Sequence, residues 1–334
     1  MSELSNSSIF PYKQNSTKNF YSWLPSFRFR YKFSEVDNIQ INYRSRNNEP
    51  SIDQLQNVLN NNDPLRLKIG NPNLLQDNRH FAMIRYSNIN PMSMNSFFGM
   101  LSFDYTFDYI GYRTIIAENE KKEYQGIVIN QGSQLQLPEN LDGYFNVRSF
   151  FTYSIPIEFI KSNINLNAGF NYSKTPSIIN DVTNYANSNS INFGFVLASN
   201  ISQNLDFNIF TLNTFSQVKN TSYKSSDANY FTQFSKVRLN WTIWNGIVFR
   251  TDFEYRYNGG LSSNYDPNSY LLNFSLGKKL FNKDQGEIRL SVYDALNKNI
   301  SNQRTVTETY IEDSNSNVIG RYVLLSFIYD IKVF

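Results

Sequence analysis

Apolar and polar side chains alternate along this chain in runs too long for an ordinary globular strand. Ile247 to Tyr257 sets Phe249, Phe253, Tyr255 and Tyr257 against Arg250, Asp252, Glu254 and Arg256. Asn163 to Tyr172 sets Ile164, Leu166, Ala168, Phe170 and Tyr172 against Asn163, Asn165, Asn167, Gly169 and Asn171. Phe97 to Tyr109 opposes Leu101, Phe103, Tyr105 and Phe107 to Ser102, Asp104, Thr106 and Asp108, and Asn38 to Arg44 places Ile39, Ile41 and Tyr43 on one face. Period two is the repeat of a strand with one face in apolar surroundings and the other in polar ones. A tilted strand needs roughly 9 to 11 residues to cross a bilayer, against about 5 to 6 for a common globular strand, so run length separates a membrane barrel from a sandwich where alternation does not. The polar faces hold Asn, Arg, Asp and Ser, which suit a wet lumen.

The end of the chain carries the same pattern. From Gly320 to Phe334, apolar groups occupy Val323, Leu325, Phe327, Tyr329, Ile331 and Val333. Soluble domains seldom end on such a strand because termini fray, whereas a barrel needs a last strand that pairs, so that no edge is left in lipid.

Composition fits this reading. The chain has 334 residues, no cysteine, one histidine and a net charge of +3 spread along its length. Disulfides, thiolate chemistry and Cys-based metal sites are thereby excluded, and the absence of a basic block leaves no nucleic-acid footprint. Mean hydropathy is −0.46. No run reaches the roughly 18 apolar residues of a membrane helix, and a barrel shows low hydropathy because only every second strand residue meets lipid. Met1 to Phe20 has no apolar core of a secretory signal. An exported protein with this start implies that Met1 is an internal start, a truncation or a fragment boundary.

About thirteen long strands can be counted from the alternation. Tight links are expected at Glu35 to Asp37, Asn200 to Asn204, Asn245-Gly246 and Asn282 to Gly286. Long polar connections are expected at Asn47 to Asn78, Thr175 to Asn189, Thr221 to Ala228, Gly259 to Asn268 and Lys298 to Val318. Short turns at one end and long loops at the other are what threading through a membrane requires. Tyr124 to Asp142 reads as a hairpin above the membrane or a bulged loop. Residues 1–22 read as a loop or truncated N-terminal end, and 23–334 as a partial outer-membrane β-barrel. An odd strand count makes the first and last strands parallel if they close, so further strands are expected upstream. Trp23, Trp241, Trp244, Tyr255, Tyr257 and Tyr270 lie near strand ends, where amphipathic rings suit the headgroup level.

Three motifs carry a family resemblance. Tyr43 to Val58, with Pro50-Ser51-Ile52-Asp53-Gln54-Leu55 inside it, continues to Gly70-Asn71-Pro72-Asn73-Leu74; Ser291 to Asn297 and Gly320 to Phe327 follow. In this order they resemble the outer-membrane β-barrel family of TonB-dependent receptors. The resemblance implies a plugged barrel of about 22 strands that imports a bulky ligand with energy from the inner membrane. On that reading the chain is the C-terminal part of the barrel, in the outer membrane of a Gram-negative cell. Its partners are outer-membrane lipid and the barrel-assembly machinery, with TonB and a plug domain where the full-length protein has them. Tyr329 and Ile331 fall where the family has its last Tyr and terminal Phe, so the assembly signal is read as Tyr329, Ile331 and Phe334, with Phe334 out of phase on a short extension. As turn chemistry, Gly70 to Asn73 would supply a positive φ and a fixed one, and Asp294 to Asn297 would cap a strand end.

No catalytic constellation accompanies these motifs. His80 stands beside Phe81 with no Gly-x-Ser-x-Gly elbow, and reads as a polar cap at the interface. Asp104 with Asp108, and Asp252 with Glu254, share faces at the spacing by which lumen charges pair with Arg250 and Arg256, so an ion-pair ladder is expected and no metal or cofactor. Ligand recognition is expected on loops 47–78, 175–189 and 259–268. The competing readings are a non-transporting scaffold barrel that docks partner proteins, and a soluble β-sandwich adhesin.

Overall fold

The structure is a computed structural model that describes residues 2–8, 14–20, 22–199, 201–202, 204–281 and 284–331. A short pair, β1 (Ser2–Ser8) and β2 (Gln14–Phe20), comes first, followed by β3 (Ser26–Lys32), β4 (Asp37–Asn48), the single-turn helix α1 (Ile52–Leu55) and β5 (Arg66–Lys68). Then come β6 (Asp77–Ile89), β7 (Ser96–Phe107), β8 (Tyr109–Ile116), β9 (Lys122–Tyr124), β10 (Ile127–Ile129), β11 (Gln134–Leu141) and β12 (Tyr144–Ile157). The longest strands follow: β13 (Ser162–Ile179), β14 (Val182–Ser199), β15 (Leu205–Asn220), β16 (Ala228–Ile243), β17 (Ile247–Asn258) and β18 (Asn268–Leu280). The chain closes with β19 (Gly286–Tyr293), β20 (Ser301–Val306), β21 (Ile311–Ser316) and β22 (Tyr322–Tyr329).

Thirteen of these strands lie side by side in the order β22-β19-β18-β17-β16-β15-β14-β13-β12-β7-β6-β4-β3. The count matches the alternation, and the strands form one continuous antiparallel path. Their shared register keeps every apolar face on one side. Phe193 and Phe215 are 51% and 50% exposed, and Leu325 and Phe327 are 70% and 63% exposed. Buried polar residues occupy the other side: Ser102, Asp104, Thr106, Ser275 and Ser291. The inside-out distribution gives the concave face to the polar set and turns the apolar set outward. An apolar surface that wide is incompatible with water and matches hydrocarbon.

Both ends of the path remain open. β3 bonds to β4, β22 bonds to β19, and among the described residues no strand pairs with either outer edge. The two edge strands run the same way, so closing them on each other would need a parallel seam. Yet both keep the barrel pattern, with Phe27, Phe29 and Tyr31 outward on β3 and Val323, Leu325, Phe327 and Tyr329 outward on β22.

Short turns lie at the end where β22 finishes, since Tyr329 faces Gly286, the first residue after one of them. Trp244 sits in such a turn and Trp241 beside it. Toward the other end, Tyr255 and Tyr270 pack with ring centroids 5.1 Å apart. There too the His80 Nδ1 shares a 2.6 Å hydrogen bond with the Tyr43 hydroxyl, and the imidazole stands edge-on to Phe107. The histidine thus belongs to the aromatic girdle.

Expectations change for one connection, one strand run and the start of the chain. The stretch 175–189 is not a loop: β13 and β14 stay paired to a two-residue turn at Asn180-Asp181, whose φ values of 47° and 66° suit a tight hairpin. The run Phe97 to Tyr109 breaks at Asp108, with φ 50°, and restarts as β8. Where 124–142 was expected as a hairpin or bulge, β9 pairs with β10 and β11 returns along β8. Residues 2–8 and 14–20, expected as loop or truncated end, form a two-stranded pair separate from the main sheet. Of the proposed assembly signal, Tyr329 ends β22 with its ring 5.8 Å from that of Phe281, Ile331 lies exposed just past the strand, and Phe334 lies outside the described residues.

The face assignment predicts an asymmetric response to charge. Phe193→Arg, on the outer face, is expected to destabilise the barrel in liposomes by roughly 2 to 4 kcal/mol, whereas Thr214→Arg, on the inner face, should cost well under half of that. Urea unfolding followed by tryptophan fluorescence measures both.

Candidate functional site

Above the girdle the long connections build a cap. Ser51 starts α1 with a reciprocal capping box: its hydroxyl accepts from the Gln54 amide at 3.3 Å, and the Gln54 side-chain oxygen accepts from the Ser51 amide at 2.9 Å. Gly70 returns the chain against this turn. It does not adopt a positive φ; instead a Cβ there would fall on the Gln56 carbonyl and 2.7 Å from the Asp53 oxygen. Close backbone approach, and not a left-handed turn, is what requires glycine at this point. Asn71 then donates to the Pro138 carbonyl at 3.1 Å, fastening the loop to β11.

A small core holds this part of the cap together. β5 adds in parallel to β11, which pairs antiparallel with β8, and the upper end of β13 joins β8. Leu67, Ile115, Ala117, Ile129 and Leu135 bury one another between them, with Ile69 and Leu137 against the edge. This sheet has its own dry interior and forms a folded platform at the loop end of the wall.

The cap also crosses from one side of the sheet to the other. β4 and β19 each lie one strand from an open edge. The connection after β4 nonetheless reaches the hairpin β20–β21 that follows β19: Arg66 Nη1 donates to the Tyr310 hydroxyl at 3.2 Å, lies 3.3 Å from a Glu312 carboxylate oxygen, and stacks 4.7 Å over the Tyr310 ring. Further ties run from the Ser226 hydroxyl to the Glu308 carbonyl at 2.8 Å, from the Tyr223 hydroxyl to Glu118 at 3.0 Å, and from the Ser262 amide to Asp313 at 2.9 Å. Of the loops singled out from sequence, 47–78 and 259–268 therefore meet on the β20–β21 hairpin. The 175–189 ribbon reaches the hairpin through β15: its buried Asn184 donates to Asn220 at 2.9 Å, Asn220 donates to Ser226 at 3.0 Å, and Ser226 donates to Glu308. The Arg66 junction was not visible in the sequence, since 244 residues separate its partners.

Within the hairpin, Arg304 grips Asp313 with two hydrogen bonds of 2.7 and 2.6 Å. That bidentate contact, aided by the Ser262 amide, holds the Asp313 carboxyl down at about 2 and raises the guanidinium's value. At the base of the hairpin, Asp294 takes a positive φ of 47° and its carboxylate accepts from the amides of Lys298 and Asn299, a turn that closes β19 as expected.

Below the cap, the inner wall of β16 to β19 is an ion-pair ladder. Lys236 bridges Asp252 and Glu254 at 3.1 and 2.6 Å, Arg238 meets Asp252, and Arg256 meets Glu254. Arg250 reaches past β18 to clasp Glu287 bidentately at 2.6 and 2.9 Å, and Arg289 shares that carboxylate. A cavity of about 400 Å³ opens along this wall between Arg238, Arg250 and Arg289. No group of acidic and histidine side chains suited to a metal occurs among the described residues. Asp104 joins Arg79, both oxygens accepting from Nε at 2.8 Å.

Comparison with known proteins adds one finding on the whole chain. The family model described as "Outer membrane protein beta-barrel family" matches residues 4–183 and 174–329. No curated protein matches the sequence. Among solved structures, a crystal structure of a Pseudomonas aeruginosa FadL homologue is similar over 95% of this chain and 80% of its own, at 9% identity and a TM-score of 0.34.

Two predictions follow from the cap. The Arg304–Asp313 pair lowers the folded value of the acid, so its contribution is full above the ordinary carboxylate range near about pH 4 and is lost as pH falls toward 2. Amide exchange in β20–β21, corrected for intrinsic rates, is expected to accelerate between about pH 4 and 2, while Asp313→Asn removes the step. Gly70→Ala should free the loop between α1 and β5, seen as faster limited proteolysis there with the barrel intact.

Proposed function

Because the chain belongs to the outer membrane protein β-barrel family, we propose that it forms the wall and extracellular mouth of a receptor that binds a bulky ligand and imports it in the TonB-dependent manner. Its place is the outer membrane, with short turns toward the periplasm and the cap outside. Eight strands already make an interior that side chains can fill, so a wall of thirteen surrounds space that they cannot. A plug domain and TonB, if the full-length protein carries the one and contacts the other, would occupy that space and supply the energy.

The observation that carries this reading is the junction at Arg66. Loops rooted near opposite edges of the sheet meet over the concave face, as a receptor needs in order to hold a ligand before passing it inward. A docking scaffold has no need of a mouth that closes. Nothing in the composition of the cap makes it catalytic, and the reading assigns the chain no enzymatic role.

The junction can be tested with chemistry that the native chain does not contain, since it has no cysteine. Arg66→Cys with Tyr310→Cys, bridged by a reducible bis-methanethiosulfonate, is expected to abolish uptake of the solute that a deletion strain fails to import, and dithiothreitol should restore it. Uptake that continues through the bridged cap, or a deletion strain with no uptake defect, would favour the scaffold.

A further inference from the structure

The arginines of this wall fall into two groups. On β16 to β19 every one is neutralised: Arg238, Arg250, Arg256 and Arg289 all meet carboxylates. On β3, β4, β6 and β12 the reverse holds. Among the described residues, Arg28, Arg30, Arg44, Arg46, Arg85 and Arg148 have no carboxylate partner, and Arg79 alone is paired, with Asp104.

Strand register arranges these cations in order. Following the inner face of β4 downward from the mouth, Arg46 faces Arg79, and Arg44 comes next. The third row runs from Arg28 through Asn42, Met83 and Ser102 to Arg148. The fourth joins Arg30, Gln40 and Arg85, and the fifth sets Lys32 beside Asn38. Five successive rows thus each carry a cation. Rows two residues apart are separated by about 6.8 Å, so the series extends about 27 Å along the strands and, at a tilt of about 40°, crosses most of the hydrocarbon thickness.

Neutral neighbours hold these side chains without cancelling their charge. Arg28 donates to the Asn42 side-chain oxygen at 3.2 Å and Arg30 to that of Gln40 at 3.4 Å. Arg44 lies 5.2 Å over Phe81 and Arg85 lies 5.4 Å over Phe98, and Arg85 Nε is buried without an acceptor. Stacking on an aromatic face fixes a guanidinium while leaving its in-plane donors free. Close like charges in a cleft also repel, and they focus a field that concentrates oppositely charged solutes. Of the acids near the series, Asp104 is taken by Arg79, Asp77 one row above accepts from Asn48, and Asp37 beside the lowest row accepts from Ser34, Tyr86 and Asn88.

We propose that this series is a binding track for a solute bearing several oxyanion groups, carboxylate, sulfate or phosphate, which moves from row to row between the mouth and the periplasm. The inference rests on the import reading above and names the class of solute imported. A neutral ligand of the same length would gain nothing from it.

Tripolyphosphate is a suitable probe, with maltotriose as a neutral control, both titrated calorimetrically into the purified full-length protein in detergent. Wild type is expected to bind tripolyphosphate and not maltotriose, with affinity that falls as salt rises. The triple variant Arg28→Gln/Arg30→Gln/Arg148→Gln should lose about tenfold or more in affinity, whereas the triple Arg→Lys variant at the same positions should keep most of it. Heat-modifiable migration on gels confirms that each variant is folded. The proposal is overturned if wild type does not bind tripolyphosphate, as when an acidic protein segment already occupies the track, or if the Gln variant binds it equally well. Tripolyphosphate binding combined with uptake through a bridged cap would remove the import reading and leave the track. Uptake blocked by the bridge with no tripolyphosphate binding would do the reverse.

Discussion

Everything in this molecule depends on backbone pairing where water is absent. An unpaired amide or carbonyl in hydrocarbon costs several kcal/mol, so each strand must be bonded along its whole crossing. Thirteen neighbouring strands meet that demand on their shared sides, which fixes the rest: one face to lipid, one to the lumen, short turns at one end and elaborated loops at the other. Among the described residues the demand is unmet at two places, the outer edges of β3 and β22. Both edges run in the same direction, so strands that close the gap by antiparallel pairing must be odd in number.

The cap obeys different energetics from the wall. It rises into water, so it needs a dry interior of its own, and Leu67, Ile115, Ile129 and Leu135 supply one. Its links across the mouth are weaker. The Arg66 and Glu312 side chains are 38% and 42% exposed, and a pair so placed is worth about 0 to 1 kcal/mol. A rigid platform joined by contacts of that size can separate at this junction without unfolding.

Much of the wall was legible in the sequence, because lipid imposes the same alternation on each crossing. The strand count and the pairing of Arg256 with Glu254 follow from spacing by two, whereas Arg250, expected to pair with the acids of its own strand, meets Glu287 two strands away. The 175–189 ribbon was misread for a related reason. Beyond the membrane the outer face need not be apolar, so Lys174, Asn187 and Asn189 replace the alternation while the hydrogen-bonded ladder continues. Gly70 was assigned to a turn on residue type; the structure shows that the nearby backbone of Gln56 is what excludes a side chain there.

Taken alone, the sequence settled which side chains face lipid and which face the lumen, since that depends only on parity along each strand. The tertiary structure decided which lumen charges are cancelled. Arg250 finds Glu287 across two strand boundaries, and the cations of β3, β4, β6 and β12 line up in rows with a single carboxylate pair among them. In linear order those charges look evenly scattered. Register, a relation between strands far apart in the chain, brings like charges together on one wall and opposite charges together on another.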